Sequence, residues 1–469
     1  FSCNSKKKIN YLSIAHKKQT QNFKNNYLKI SFKESLNELR HSQEPWQQTN
    51  YRISGEVCLE KKIFSKIDTL TRRNREYYSK TYFNFSKMFF QDFGNSKKEK
   101  ITKELFNNQI FKNLRYSPNS IFNEFKVQSN EGFINEKYAV YKKEINNKKV
   151  SLYINKSNFL VDKISVLEHH ELFGDVIKTY IYKNYQLLNN IYYPKEIVIS
   201  KINGRVIDSV LIKKAKTETE VYPFREEFSD FKIHPNRQTK KEISITKYNN
   251  NIYLIDLKHT DDKILVVEFK DFFLVAEAPL TSENGELIIK EVQKINSAKS
   301  IKYFAFGHYH PHYLGGVRAF VHKKASVITS EVTKEYINYI IKNQRTVKPD
   351  SLQIDPKPLK SIILRDSLTI SDDNNYKMKI YFLGIKSNHT KDYLIYYFPK
   401  EKILFQDDSV WISKSGKRRK AGLRQVALYN EIIKLNLKVD TIIQSWPVIE
   451  RGVKTIISFK ELEASVKIK

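Results

Sequence analysis

Three histidines stand on alternate positions, His308, His310 and His312, in the run GHYHPHYLGG at 307–316. Imidazole is a ready ligand for a borderline-soft metal such as zinc, and clustered rings at a strand end with turn glycines behind them suit such an ion. The chain holds only 11 histidines, so three within five residues form a concentrated donor set. Taken alone, the run has a second reading: a solvated histidine loop, or one histidine satisfied inside a core.

The flanking elements must position these rings. Residues 300–306, SIKYFAF, read as a buried strand, and Gly315-Gly316 permit a sharp turn into the amphipathic 317–322. Strands expected at 251–257, 264–270, 272–279, 362–370, 377–383, 393–398, 403–405 and 441–443 alternate with helices at 285–297, 333–342 and 424–435. That interleaving indicates an α/β layered domain. Upstream, 46–231 has a β texture of short alternating segments such as 150–154, 176–182 and 196–200, divided by Asn-Lys and Asn-Gly turns. A polar segment, 1–45, carries one expected helix at 31–39, and 230–239 reads as a linker. The chain thus divides into 1–45, a β-rich accessory domain at 46–232 and a third domain at 243–469.

Residues 243–469 resemble the metallo-β-lactamase superfamily. The order of signals carries the resemblance: a strand hairpin ending in LVAEAP at 274–279, the His-x-His loop closed by Gly315-Gly316, then GIKSNHT at 384–390. A strand pair at 392–405 follows, closed by Asp407-Asp408 where the family usually has Gly-Asp. The resemblance implies an αββα sandwich with a metal site along one edge of its paired sheets, preceded here by a mainly antiparallel β domain. More faintly, 150–164 and NIYYP at 190–194 resemble lipoprotein-carrier half-barrels, and a non-catalytic β-platform accounts for them equally well.

The superfamily's pattern is His-x-His-x-Asp-His, a later His, a bridging Asp and a final His, holding two metals. Carried over, His308, His310 and His389 take the first metal's ligand positions and Asp408 the bridging one, or Asp407 if the register shifts by one. His312 stands where the family has Asp, Tyr313 where it has His, and Trp446 or Ser445 where the final His belongs. All three departures fall on one subsite. The expectation is therefore a one-metal site, zinc first with iron or manganese as the other candidates, whose three imidazoles leave a coordination position open.

The implied function is a metal-dependent hydrolase using metal-bound hydroxide. Asp408 would orient the water and accept its proton, and His312 would be an extra ligand or a general base that later protonates the leaving group. Tyr313 would donate a hydrogen bond to the developing oxyanion, or simply pack; Trp446 would plug the vacated subsite. Glu277 would brace the loop and Thr390 would orient His389. The alternative is a non-catalytic relative that binds a ligand through a degenerate metal site. A nucleic-acid-processing relative would need an inserted domain for which 316–389 leaves no room. The substrate is not encoded in any motif.

Composition sets outer bounds. The 469 residues are 40% hydrophobic and 13% aromatic, enough for a large core and too much for a mainly disordered chain. The net charge of +31 is spread along the chain and accompanied by no recognition motif, so specific nucleic-acid binding is not expected. The runs at 6–8 and 417–420 read as solvated faces. Cys3 and Cys58 cannot form a disulfide framework. The opening FSCNSKKK resembles the end of a lipoprotein signal, which would make Cys3 a lipid-bearing residue and the protein exported, periplasmic or membrane-anchored in a bacterium; an ordinary cysteine in a tail is the other reading.

Overall fold

The computed structural model describes residues 9–20, 27–59, 63–72, 75–84, 88–92, 97–100, 103–125, 130–218, 241–372, 376–416, 419–449 and 452–468. Cys3, the basic run at 6–8 and the linker at 230–239 lie outside them. The chain forms two compact units. One comprises Phe1–Glu38, Gln48–His169 and Val176–Arg237, and the other Leu39–Gln47, His170–Asp175 and Gln238–Lys469. No described helix is long and apolar enough to cross a membrane.

The first unit is built on a large antiparallel sheet of 13 described strands, two meanders joined where Tyr27–Leu39 pairs with Val206–Glu218. Period-two alternation drives it: Val206, Asp208, Val210 and Ile212 are buried while their neighbours are exposed. Buried Asp208 is ion-paired with Lys201 at 2.8 Å, so its charge is matched inside the unit. The expectation of a helix at 31–39 is corrected here. Tyr27–Leu39 is a strand in which Leu28, Ile30, Phe32 and Glu34 are buried on alternate positions, a spacing of two that no helix face satisfies.

The second unit holds two mixed sheets. The 7-stranded sheet runs in chain order from Ile243–Lys247 to Lys360–Ile363. Its first strands pair antiparallel, whereas Phe272–Ala276, Ser300–Ala305, Ser326–Thr329 and Lys360–Ile363 pair parallel. Parallel neighbours need crossovers, supplied by the helices Ser282–Ile295, Val317–His322 and Glu331–Lys342. The 6-stranded sheet runs from Ser367–Ser371 to Ile456–Ser458, with Leu423–Lys434 crossing between its parallel pair Ile403–Gln406 and Thr441–Gln444. The single strand expected at 362–370 is in fact two, Lys360–Ile363 and Ser367–Ser371, in different sheets. The polar pair Arg365-Asp366 between them breaks an apolar run that otherwise reads as continuous.

One core joins the facing sheets, with Leu265, Leu274, Ala305 and Ile328 from one and Ile380, Tyr396, Phe405 and Ile443 from the other. On the far side of the 6-stranded sheet, Leu428 and Ile432 of Leu423–Lys434 and Leu462 of Phe459–Val466 pack on Ile395, Leu404 and Ile442. On the far side of the 7-stranded sheet, Phe304 stacks on Phe320 of Val317–His322 at 4.2 Å between ring centroids. Strand ends from both sheets meet along one edge, where Lys263 N–H donates to Ser445 O (2.8 Å); within the 6-stranded sheet, Trp446 N–H donates to Asp407 O (3.1 Å).

Candidate metal centre

The strand Ser300–Ala305 ends at Gly307, whose carbonyl accepts from Leu394 N–H at 2.6 Å and whose N–H donates to Glu277 Oε1 at 3.1 Å. Glu277 thus braces the loop. A Cβ at position 307 would overlap the Asp407 carboxylate, so the glycine is what lets that carboxylate reach the next residue, His308. From the other sheet, Ile403–Gln406 ends in Asp407 and Asp408, while the turn Gly384–Ser387 leads through Asn388, at φ 54°, to His389.

His308, His310 and His389 are all buried, and each offers a ring nitrogen within 4.8 Å of the other two. Their hydrogen-bond partners fix which nitrogens are bare. His308 Nδ1 faces Asp407 Oδ2 at 2.5 Å, so it carries the proton and leaves Nε2 as a lone pair. His310 Nε2 faces the Ser42 carbonyl at 3.3 Å, which leaves its Nδ1 bare. These two lone pairs lie 2.8 Å apart, an arrangement that a shared cation satisfies. His389 Nε2 is buried with no hydrogen-bond partner, 3.5 Å from Asp408 Oδ2. The donor set therefore fits a metal ion, with the His308 and His310 rings each held by what the other ring nitrogen touches.

Electrostatics agree. Burial, reinforced by the neighbouring His310 and His389, pushes His308 far below the ordinary imidazole range. Burial likewise takes His310 to about 3, so both rings stay neutral and able to ligate. Burial raises Asp407 and Glu277 well above the carboxylate range, and for Asp407 the charge of the neighbouring Glu277 acts in the same direction. For Asp408 burial acts in the same direction, but His389 and Arg424 outweigh it and hold the carboxyl below its usual value. Arg424 Nη1 lies 3.1 Å from Asp408 Oδ2.

The remaining sequence candidates divide. Asp408 lies beside His389 but outside the convergent trio. His312 also stands apart: its Nδ1 is 3.2 Å from both carboxylate oxygens of Asp262. Burial lowers His312, yet the hydrogen bond and charge of Asp262 prevail and its net shift is upward; buried Asp262 is itself raised to about 6. The buried Tyr313 ring lies 4.3 Å from that of His308, a packing contact. Trp446 sits 5.9 Å from the His312 ring, and Ser445 Oγ donates to Lys263 O. Thr390 does not orient His389 as expected: no hydrogen bond joins its hydroxyl to the His389 ring, and Ser387 Oγ instead accepts the backbone N–H of His389.

Sequence reasoning missed Asp262 as the partner of His312, Asp407 as the partner of His308, and the approach of His41, whose Nδ1 is 3.2 Å from His310 Nδ1. The Asp407-Asp408 doublet was a usable signal. His41 offered none, being alone and far away in the chain. A cleft of about 760 Å³ adjoins the centre, lined by Asn388 and Ser409, neighbours of His389 and Asp408, and by Trp411, Arg419, Lys420 and Arg424.

No family model matches the chain, and no curated protein matches it. Solved structures do match about half of it. A metallo-β-lactamase from Pontibacter korlensis is 17% identical at a TM-score of 0.35, over 48% of this chain and 97% of that one. A metallo-β-lactamase from Pseudomonas aeruginosa in a mono-zinc form is 16% identical at 0.34, over 48% and 93%. A flavoprotein from Thermotoga maritima is 13% identical at 0.33, over 49% and 62%. Scores at this level assign neither an activity nor a ligand, and these structures give no support to a lipoprotein-carrier likeness.

Proposed function

We propose that the second unit is an αββα metallo-hydrolase domain with a one-metal centre at His308, His310 and His389. The observation that carries this reading is the trio of buried imidazoles whose ring nitrogens lie within 4.8 Å of one another, one of them backed by the Asp407 carboxylate. A zinc, iron or manganese ion held there would supply Lewis acidity and activate a water for attack on a carbonyl or phosphoryl centre.

The protein's own groups would do the rest. Asp262 holds His312 by Nδ1, leaving Nε2 free to take a proton from the attacking water and return it to the leaving group. That pairing of a base with an orienting carboxylate favours His312 as general base over His312 as ligand. Asp408, kept ionised by His389 and Arg424, would orient the water. The Arg424 guanidinium, 3.1 Å from Asp408 Oδ2, already places a positive charge on that carboxylate, which favours a single ion here. Tyr313 would back the His308 ring, with its hydroxyl as oxyanion donor the secondary reading. Arg419, Lys420 and Arg424 along the cleft favour a substrate bearing an anionic group.

A screen of carboxylic esters, thioesters and phosphodiesters with and without chelator tests this. Turnover abolished by chelator and restored by added metal is expected. For His312→Ala, kcat should fall about 100-fold or more with metal retained, the usual scale of a general base. Metal-loaded protein without turnover on any class would leave the non-catalytic binding reading instead.

A further inference from the structure

We propose that the cleft beside the centre holds the phosphate of a phosphate monoester through Arg419 and Lys420, as a handle rather than as the group attacked; the inference deepens the hydrolase reading above by naming its substrate class, and rests on it. The cleft, of about 760 Å³, is bordered by Asn388 and Ser409 on the side of the centre and by residues of the loop and helix start at 419–425. Among the described residues that line it there is no carboxylate. Arg419 and Lys420 are exposed, and among the described residues neither pairs with a carboxylate or hydrogen-bonds to a residue of the centre. Arg424, the cation that does reach the centre, is matched by Asp408. Two unmatched positive charges suit a dianion. A phosphate monoester carries about 1.5 to 2 negative charges at pH 7, whereas a carboxylate carries one.

The backbone of that wall favours the same charge. Gly422 caps the helix Leu423–Lys434 without a side-chain hydrogen bond, no acidic residue stands in the first turn, and both the cap and the first turn line the cleft. First-turn N–H groups have no partner within a helix, so they add positive potential beside the two side chains. What else lines the space describes the rest of the ligand. Leu423 is 75% exposed, an apolar side chain left in water at the cleft. The Trp411 indole is fixed there by donating Nε1–H to Asp408 O at 2.8 Å. A second cavity of about 400 Å³ shares Trp411, Ser413 and Arg419 with the first and continues to Ile412 and Ala464. Glu461 also lines it, engaged by Lys454 and by the helix cap at Ser458, and its charge disfavours a second anionic group there. The body of the substrate is therefore apolar or aromatic, lying along Trp411 with its phosphate at Arg419 and Lys420.

Titration of the full chain with phenyl phosphate, read by calorimetry and by quenching of tryptophan fluorescence, tests the assignment without turnover. The wild type should bind phenyl phosphate about 10-fold more tightly than inorganic phosphate or benzyl alcohol, with affinity falling as salt is raised. The double variant Arg419→Ala, Lys420→Ala should bind it at least about 10-fold more weakly, the scale of hydrogen bonds to a charged group. Both positions are exposed, so its urea midpoint should match the wild type. His389→Ala should bind phenyl phosphate as the wild type does, because the handle is held apart from the metal. Binding lost in His389→Ala but kept in the double variant would put the phosphate on the metal and overturn the assignment. Equal binding by all three proteins, or none by the wild type, would overturn it as well. Wild-type protein that binds phenyl phosphate through Arg419 and Lys420 but holds no metal would sink the hydrolase reading and leave the anion site standing.

Discussion

A ring nitrogen ligates only as well as its opposite nitrogen is held, and here that second contact is often the more informative. Asp407 sets the His308 tautomer through its contact with Nδ1. Asp407→Asn should therefore weaken metal binding about 10- to 100-fold, as loss of such partners does elsewhere, measurable by chelator competition. The pH response follows from the same burial. Protons compete with metal for imidazole, so affinity falls as pH falls. His308 and His310 are already neutral, His310 down to about 3, so between pH 7 and pH 5 the logarithm of affinity should fall by no more than about one per pH unit. A slope near three, as for three ordinary histidines, would contradict the burial assigned to them. His308, His310 and His389 were legible because a short motif and its order relative to Asp407-Asp408 betray them. Asp262 and His41 were not, since each meets its partner only after folding.

At the scale of elements, the centre depends on strands stopping in register and on glycines that let them approach. Gly307→Ala would drive a methyl into the Asp407 carboxylate. Overpacking of this kind costs about 1–3 kcal/mol, so the urea midpoint should drop together with metal affinity. A normal midpoint with normal affinity would show that Asp407 moves aside freely. Strand and helix positions in 251–443 were readable because apolar runs and amphipathic runs alternate there. The errors share a cause. The helix expected at 31–39 is part of a strand because the period-two burial begins upstream of it, at Leu28, and runs only to Glu34 in lysine-rich surroundings, while the break at Arg365-Asp366 is too short to stand out against the apolar residues on either side.

For the whole molecule, the sequence showed a β-rich half and a half of interleaved strands and helices, but not that the 13 described strands of the former make one continuous sheet, since the pairing of Tyr27–Leu39 with Val206–Glu218 that joins its two meanders is set by residues far apart in the chain. Nor did it show that Leu39–Gln47 and His170–Asp175 belong with the second unit, because short excursions carry no compositional mark. Metal that binds only the folded second unit stabilises it by about 2.7 kcal/mol at 100 times its dissociation constant. Chelator should therefore raise amide hydrogen exchange in 300–322, 384–410 and 39–47, while 130–169 and 176–218 in the large sheet stay unchanged. Uniform loss of protection across both units would contradict a centre confined to the second.

The most direct measurement is elemental analysis of the purified protein beside His308→Ala and His389→Ala variants confirmed as folded. Close to one equivalent of a transition metal in the wild type, absent from both variants, is the expected result. Two equivalents, no metal, or metal retained by either variant would contradict a single ion held by these convergent imidazoles.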